Sequence, residues 1–343
     1  MSTADSATVA TATVDFDRHV GIARHEELFP AMPAGWDRHF EREEFVASIG
    51  LTSNHIRVTD TFRQEAAESY SPPAAPETPA LLLPYQALTV NGWSDRFAAR
   101  AFVEAINAHG VAHWASGNGR LALAVSPHDA AWSAAQIRRY ADRVAAVAVP
   151  LVPEMLGSSW WSPIYEACVD TGLPVLVHFS GVEGHYLGAP PLSGGVHASA
   201  FARMALMPHV AESNIASLAF ESTFLNYPEL QFLFAGFGFT WLPALLWRLD
   251  REWRTFRHDV PWITAPPSER VLQNMWFTTW PVGEAADIAT WDVPFSDALR
   301  SRIVFGSHTP HDGDSVGDLA AVLGPEWAAR VARNGATLLG DRA

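Results

Sequence analysis

Cysteine occurs once in 343 residues, at Cys168. A single thiol excludes an internal disulfide and any thiolate metal cluster. Basic side chains are also scarce, 23 against 37 acidic ones, for a formal net charge of −14. Nucleic acid and anionic membrane surfaces both require a basic counterpart, so neither fits as a partner. No run of 18 apolar residues is present, which argues against a membrane-spanning helix. The opening MSTADSATVATATVD lacks the basic start and apolar centre of a signal peptide, so a cytoplasmic protein is expected. No Gly-x-Gly-x-x-Gly follows an early strand, which weakens a dinucleotide-binding reading. Internal repeats and low-complexity segments are likewise absent.

What is present is apolar material in a regular order. Hydrophobic residues make up 48 % and aromatics 11 % of the chain, enough for a large core. Short apolar runs recur at ATVDF (12–16), ALLLPYQAL (80–88), LALAVSP (121–127), VAAVAVPLV (144–152), LPVLVHFSG (173–181), LQFLFAGFG (230–238), MWFTTW (275–280) and IVFGS (303–307). Helical patterns lie between several of them, such as the stretch from Asp95 to Ala108 and DAAWSAAQIRRYADR. Continuous apolar strands separated by helices indicate a parallel sheet covered on both faces. Eight such units favour a closed (β/α)8 TIM barrel, one domain over residues 1–343. Residues 18–78 break the pattern and are expected to form a long insertion or lid after the first strand.

In such a barrel the working residues sit at the C-terminal ends of the strands. Asp17 and His19 stand two apart at the end of the first run and so face one side. His178 follows three aliphatics, where an imidazole must find a hydrogen-bond partner or a metal. The last run supplies His308, with His311 three residues on. Imidazoles with a carboxylate suit zinc, iron or manganese, so Asp17, His19, His178 and His308 are the expected ligands of a divalent metal. His308 and His311 are candidates for acid–base work. His185 and Trp280 are candidates for touching a small-molecule substrate.

The ordered motifs also carry a resemblance. Asp15-Phe16-Asp17-Arg18-His19, followed by Glu27-Leu28-Phe29-Pro30 and Met32-Pro33-Ala34-Gly35-Trp36, resembles the "DCDVH … LPYLPxxW" opening of the amidohydrolase-2 branch of the amidohydrolase superfamily. Gly172–His178, 227–234 and 239–253 are similar to further blocks of that branch, and 306–312 to its "SDYPHWD". Two positions depart from it. Ala235-Gly236-Phe237-Gly238-Phe239 stands where the branch has a glutamate, and His308 stands where it has the catalytic aspartate. The resemblance implies a metal-dependent hydrolase or non-oxidative decarboxylase acting on an organic acid or acyl substrate. Two alternatives stand beside it, the first implied by relatives with the same opening and the second by the loss of both acidic positions. One is a non-haem iron monooxygenase, in which Glu221 would replace the lost glutamate. The other is a degenerate partner subunit. A homodimer, or pairing with a homologous subunit, is the expected assembly.

Overall fold

In a computed structural model the chain is described at residues 13–22, 24–42, 76–93, 95–179, 204–285, 295–311 and 313–339. Its eight strands are β1 (Asp15–Val20), β2 (Ala80–Pro84), β3 (Gly119–Ala124), β4 (Ala146–Pro150), β5 (Val175–His178), β6 (Phe232–Ala235), β7 (Met275–Thr278) and β8 (Ile303–Val304). They form one sheet in chain order, every neighbouring pair parallel. With helices between the strands this is a (β/α)8 barrel, and all eight apolar runs of the sequence contribute a strand.

The sheet curls back on itself through backbone bonds from the chain just after β8. Phe16 N donates to Phe305 O at 2.9 Å, His308 N to Asp17 O at 2.7 Å and His19 N to Thr309 O at 2.8 Å. Arg18 and Thr309 form the parallel bridge at this joint. β8 itself is only two residues long, so the loop that follows it does much of the closing.

Side-chain alternation divides the core in two. Leu81, Leu83, Ala122, Ala148, Leu176 and Leu233 pack with one another in a small cluster inside the barrel. Their neighbours Leu82, Leu123, Val149, Val175, Val177 and Phe232 belong to the larger cluster under the helices. The helices begin where their sequences say they should. Asp95 caps Arg96–His113 by accepting from Phe97 N and Ala98 N, and Asp129 caps Ala130–Tyr140 by accepting from Trp132 N.

β1 departs from the expectation of a strand over 12–16. It runs on to Val20, so Asp17 and His19 lie within the strand and not beyond its end. Its register against β2 also slips, with Asp15 opposite Ala80 but Arg18 opposite Leu82. Three steps on β1 match two on β2, which is a bulge. The slip reverses the alternation: Val14 and Phe16 point into the inner cluster, yet Val20 and Ile22 join the outer one. Asp17 and His19 therefore face the barrel axis on the same side as Phe16. The segment after β1 carries a 3-10 turn (His25–Ala31) and a helix (Trp36–Arg42), whose Phe40 packs near Trp93 and Phe102.

Candidate metal centre

Three strands bring four side chains to one point. From β1 come Asp17 and His19, from the last residue of β5 comes His178, and from the loop after β8 comes His308. One ligating atom from each lies within 4.8 Å of the others, and all four residues are buried. Asp17 Oδ1 is 3.0 Å from His19 Nε2 and 3.3 Å from His178 Nε2. The two imidazole nitrogens are themselves 3.3 Å apart. His308 Nδ1 approaches the other carboxylate oxygen, Oδ2, at 3.3 Å.

Each ring is oriented by something behind it. His178 Nδ1 donates to Phe179 O at 2.6 Å, which leaves the Nε2 lone pair facing the cluster. Gly236 makes room for that ring: a Cβ there would lie 2.5 Å from His178 Nε2, and its φ is +84°. His19 stacks on Tyr85 at 4.6 Å and 17°, and His308 stacks on Trp280 at 3.6 Å and 18°. His311 sits at the side, its ring 5.1 Å from that of His19 and 5.5 Å from Tyr85. Phe237 and Phe179 complete an aromatic wall beside His178.

His308 has a backbone φ of +62°, the only non-glycine in the left-handed region among the described residues. The residues around it are tied to β1. Asp15 Oδ1 accepts from Ser307 N at 2.9 Å and from Asp17 N at 3.1 Å. Asp15 Oδ2 accepts from Ser307 Oγ at 2.6 Å, and that hydroxyl in turn accepts from Thr309 N at 3.0 Å.

The electrostatics follow from burial and proximity. Burial would raise the Asp17 carboxyl, but the facing imidazoles, His178 first and then His19 and His308, reverse this and hold it well below the usual carboxylate range. His19 is lowered to about 3, chiefly by burial and then by His308. Burial lowers His308 to about 4, and burial with the nearby His19 lowers His311 to about 3. Near neutrality the cluster therefore offers one carboxylate and, at His19, His308 and His311, neutral rings. His19 Nδ1 is buried without a hydrogen-bond partner among the described residues.

This donor set fits a divalent cation. Asp17 Oδ1, His19 Nε2 and His178 Nε2 form a triangle with edges of 3.0, 3.3 and 3.3 Å. Donors about 2.0–2.1 Å from a shared tetrahedral ion stand roughly 3.3–3.4 Å from one another. Lone pairs turned on each other at that spacing repel unless a proton or cation lies between them.

The four residues expected as ligands thus converge, and His311 and Trp280 lie against them. His185 falls outside the described residues. Glu221 does not join the cluster: it is exposed at the end of the helix Pro208–Phe220, hydrogen-bonded to Ser217. No second group of three metal-ligating side chains occurs among the described residues. Sequence reasoning missed Tyr85, Phe179, Phe237 and the Asp15–Ser307 pair. Tyr85 had a visible signal, since it directly follows the apolar run of β2 at the strand's C-terminal end.

A parallel barrel whose strand ends gather a carboxylate and three imidazoles defines a class of metal-site proteins, and comparison with known proteins narrows it. The amidohydrolase family model matches residues 36–333, and the chain belongs to that family, in its amidohydrolase-2 branch. The match begins after β1, so Asp17 and His19 lie outside it. No curated protein matches the chain. Among solved structures, 5-carboxyvanillate decarboxylase LigW from Sphingomonas paucimobilis has a similar fold at 16 % identity, with a TM-score of 0.63 over 95 % of this chain and 98 % of that one. An amidohydrolase from Mycobacterium avium subsp. paratuberculosis K-10 is similar at 20 % identity and a TM-score of 0.60, over 76 % and 71 % of the two chains. Dihydroxybenzoic acid decarboxylase from Polaromonas sp. JS666, solved with manganese and 2-nitroresorcinol, is similar at 15 % identity and 0.55 over 96 % and 97 %.

Proposed function

We propose that this chain is a mononuclear metal-dependent enzyme that acts on a small organic acid, with non-oxidative decarboxylation as its reaction. The reading rests on the triangle of Asp17, His19 and His178, whose 3.0–3.3 Å edges match the spacing of ligands around one ion. Asp17, His19 and His178 would hold the cation, with His308 as the fourth donor. When bound, the cation supplies Lewis acidity for an acidic oxygen of the substrate. Donors in the ratio of three imidazoles to one carboxylate favour zinc or iron over the harder manganese. Residues 1–343 are read as one domain, in which the insertion expected at 18–78 can begin only after Val20, where β1 ends.

The chain's own residues set the rest of the chemistry. Asp17 contributes the single negative charge and stays ionised. Tyr85, Phe179, Phe237 and Trp280 present ring faces that exclude water and suit a planar substrate. All 23 basic residues of the chain are arginines, so no lysine is available for a Schiff base with a carbonyl substrate. His311, beside the ligand set and neutral near pH 7, would relay a proton from solvent to the carbon that loses carbon dioxide. Decarboxylases among the fold neighbours support this choice. Hydrolysis is the second reading, favoured by the same neutral ring, which can accept a proton from water. A monooxygenase is not carried forward, because Asp15, the nearby second carboxylate, has both oxygens engaged by Ser307.

Elemental analysis of the protein purified without added metal or chelator tests the reading, with His178→Ala alongside. Near one equivalent of metal in the parent and none in the variant is expected. Carbon dioxide release from a panel of aromatic carboxylic acids, set against ester and amide cleavage, then separates the two reactions. His308→Asp adds a second carboxylate and is expected to shift metal preference from zinc toward manganese. Unchanged preference would remove His308 from the ligand set.

A further inference from the structure

We propose that Asp15 is a positioning residue which acts through Ser307 to hold the His308 imidazole against Asp17. The inference rests on the metal-centre reading and deepens it.

Asp15 is a buried acid whose hydrogen bonds go to Ser307 and the Asp17 backbone and to none of the imidazoles. Its two oxygens take three bonds, from Ser307 N at 2.9 Å, Ser307 Oγ at 2.6 Å and Asp17 N at 3.1 Å. Ser307 Oγ then accepts from Thr309 N at 3.0 Å. The residues on both sides of His308 are thereby fixed to one carboxylate on the neighbouring strand. His308 N completes the clamp by donating to Asp17 O at 2.7 Å. Between these ties His308 takes φ +62°, a conformation that a branched-free but bulky L-residue adopts only when its surroundings impose it. Without the clamp the loop would relax, and the Nδ1 now 3.3 Å from Asp17 Oδ2 would turn away. The bonds that position a metal ligand commonly change affinity 10–100-fold when removed.

The test is a double-mutant cycle read by zinc affinity, measured by competition with a chromophoric chelator. Asp15→Ala and Ser307→Ala are each combined with His308→Ala, and amide hydrogen exchange is followed over residues 305–311. Each single change at 15 or 307 is expected to weaken zinc binding roughly 10–100-fold. Added to His308→Ala, it should weaken binding no further, because its effect runs through that ring. An equal loss in the His308→Ala background would overturn the proposal, since Asp15 would then act through Asp17 or through general stability. Ser307→Ala removes only the hydroxyl, so it decides the matter if Asp15→Ala does not fold. A parent protein that takes up no metal would sink the metal reading separately. The clamp is then judged by exchange alone: faster exchange confined to 305–311 supports it, and unchanged exchange overturns it.

Discussion

Where β4, β5 and β6 begin, Ala145, Leu173, Pro174 and Leu230 line a cavity of about 350 Å³ together with Cys168 and Leu338. Where β1, β5 and β8 finish, the same sheet ends in a carboxylate and three imidazoles. The side chains of Ala145, Leu173 and Leu230 at the first end make only non-directional apolar contact, which tolerates side chains of similar volume. The second is held by directed bonds, from His178 Nδ1 to Phe179 O, from Ser307 to Asp15 and between Asp17 and three rings. Stability is thus concentrated in the apolar interior, and chemistry in the polar end. The contrast teaches that a few tenths of an ångström matter at one end and little at the other.

The strongest way to break that contrast is to change one residue in each region. Asp17→Ala removes the only charge in the cluster and is expected to reduce bound metal to background in elemental analysis. Leu233→Ala, in the inner cluster, is expected to cost about 2–5 kcal/mol in urea unfolding while metal stoichiometry holds. Loss of metal from the Leu233 variant would mean that the two regions are not independent. Gly236→Ala probes the boundary between them. Its Cβ meets His178 Nε2 at 2.5 Å in a backbone with φ +84°, so metal affinity should fall at least about tenfold and stability by about 1 kcal/mol.

Acid sharpens the comparison further. His19, His308 and His311 remain neutral in the folded protein down to about pH 3, 4 and 3, whereas in the unfolded chain they take up protons near 6.5. The unfolded state therefore binds more protons between about pH 6.5 and 4, and folding stability falls as pH falls through that window. Each such histidine adds up to about 1.4 kcal/mol per pH unit to the slope. Asp17 works only lower down, its stabilisation being lost as pH drops through its depressed folded value. Urea unfolding of the parent and His308→Asn between pH 7 and 4 checks this, and the variant should show the shallower slope. The smallest expected effect concerns backbone alone. At φ +62°, His308→Gly should be more stable than His308→Ala by about 0.4–1 kcal/mol, measured by the same unfolding.

Much of this molecule can be read from its letters because its strands are continuous apolar runs. VLV before His178 and FLFA before Gly236 are buried on both faces, and eight such runs separated by helices favour a parallel barrel. The convergence of the candidate ligands was legible for the same reason: a polar residue ending such a run has nowhere to go but the barrel mouth. The bulge in β1 was not legible. DFDRHV carries no glycine or proline to mark it, and it arises from pairing with β2 and with the chain after β8. Asp15 illustrates the cost of missing it. Two residues before Asp17, it would share that residue's face in a regular strand, yet it turns to Ser307, 292 positions away in the sequence. Phe179 was hidden differently, since an aromatic after an apolar run looks like more core until the ring it packs on is known.

The short β8 has one more consequence. Because Ile303–Val304 is too brief to close the cylinder, its seam is sewn by Phe305, His308 and Thr309, in the very loop that presents a ligand. An ion drawing Asp17 and His308 together would act as a clasp on that seam. Heat resistance of the whole barrel then becomes a gauge of what its mouth has bound, with saturation to 100 times the dissociation constant worth about 2.7 kcal/mol. Substrates of this protein can be sought by melting it, before any reaction is known.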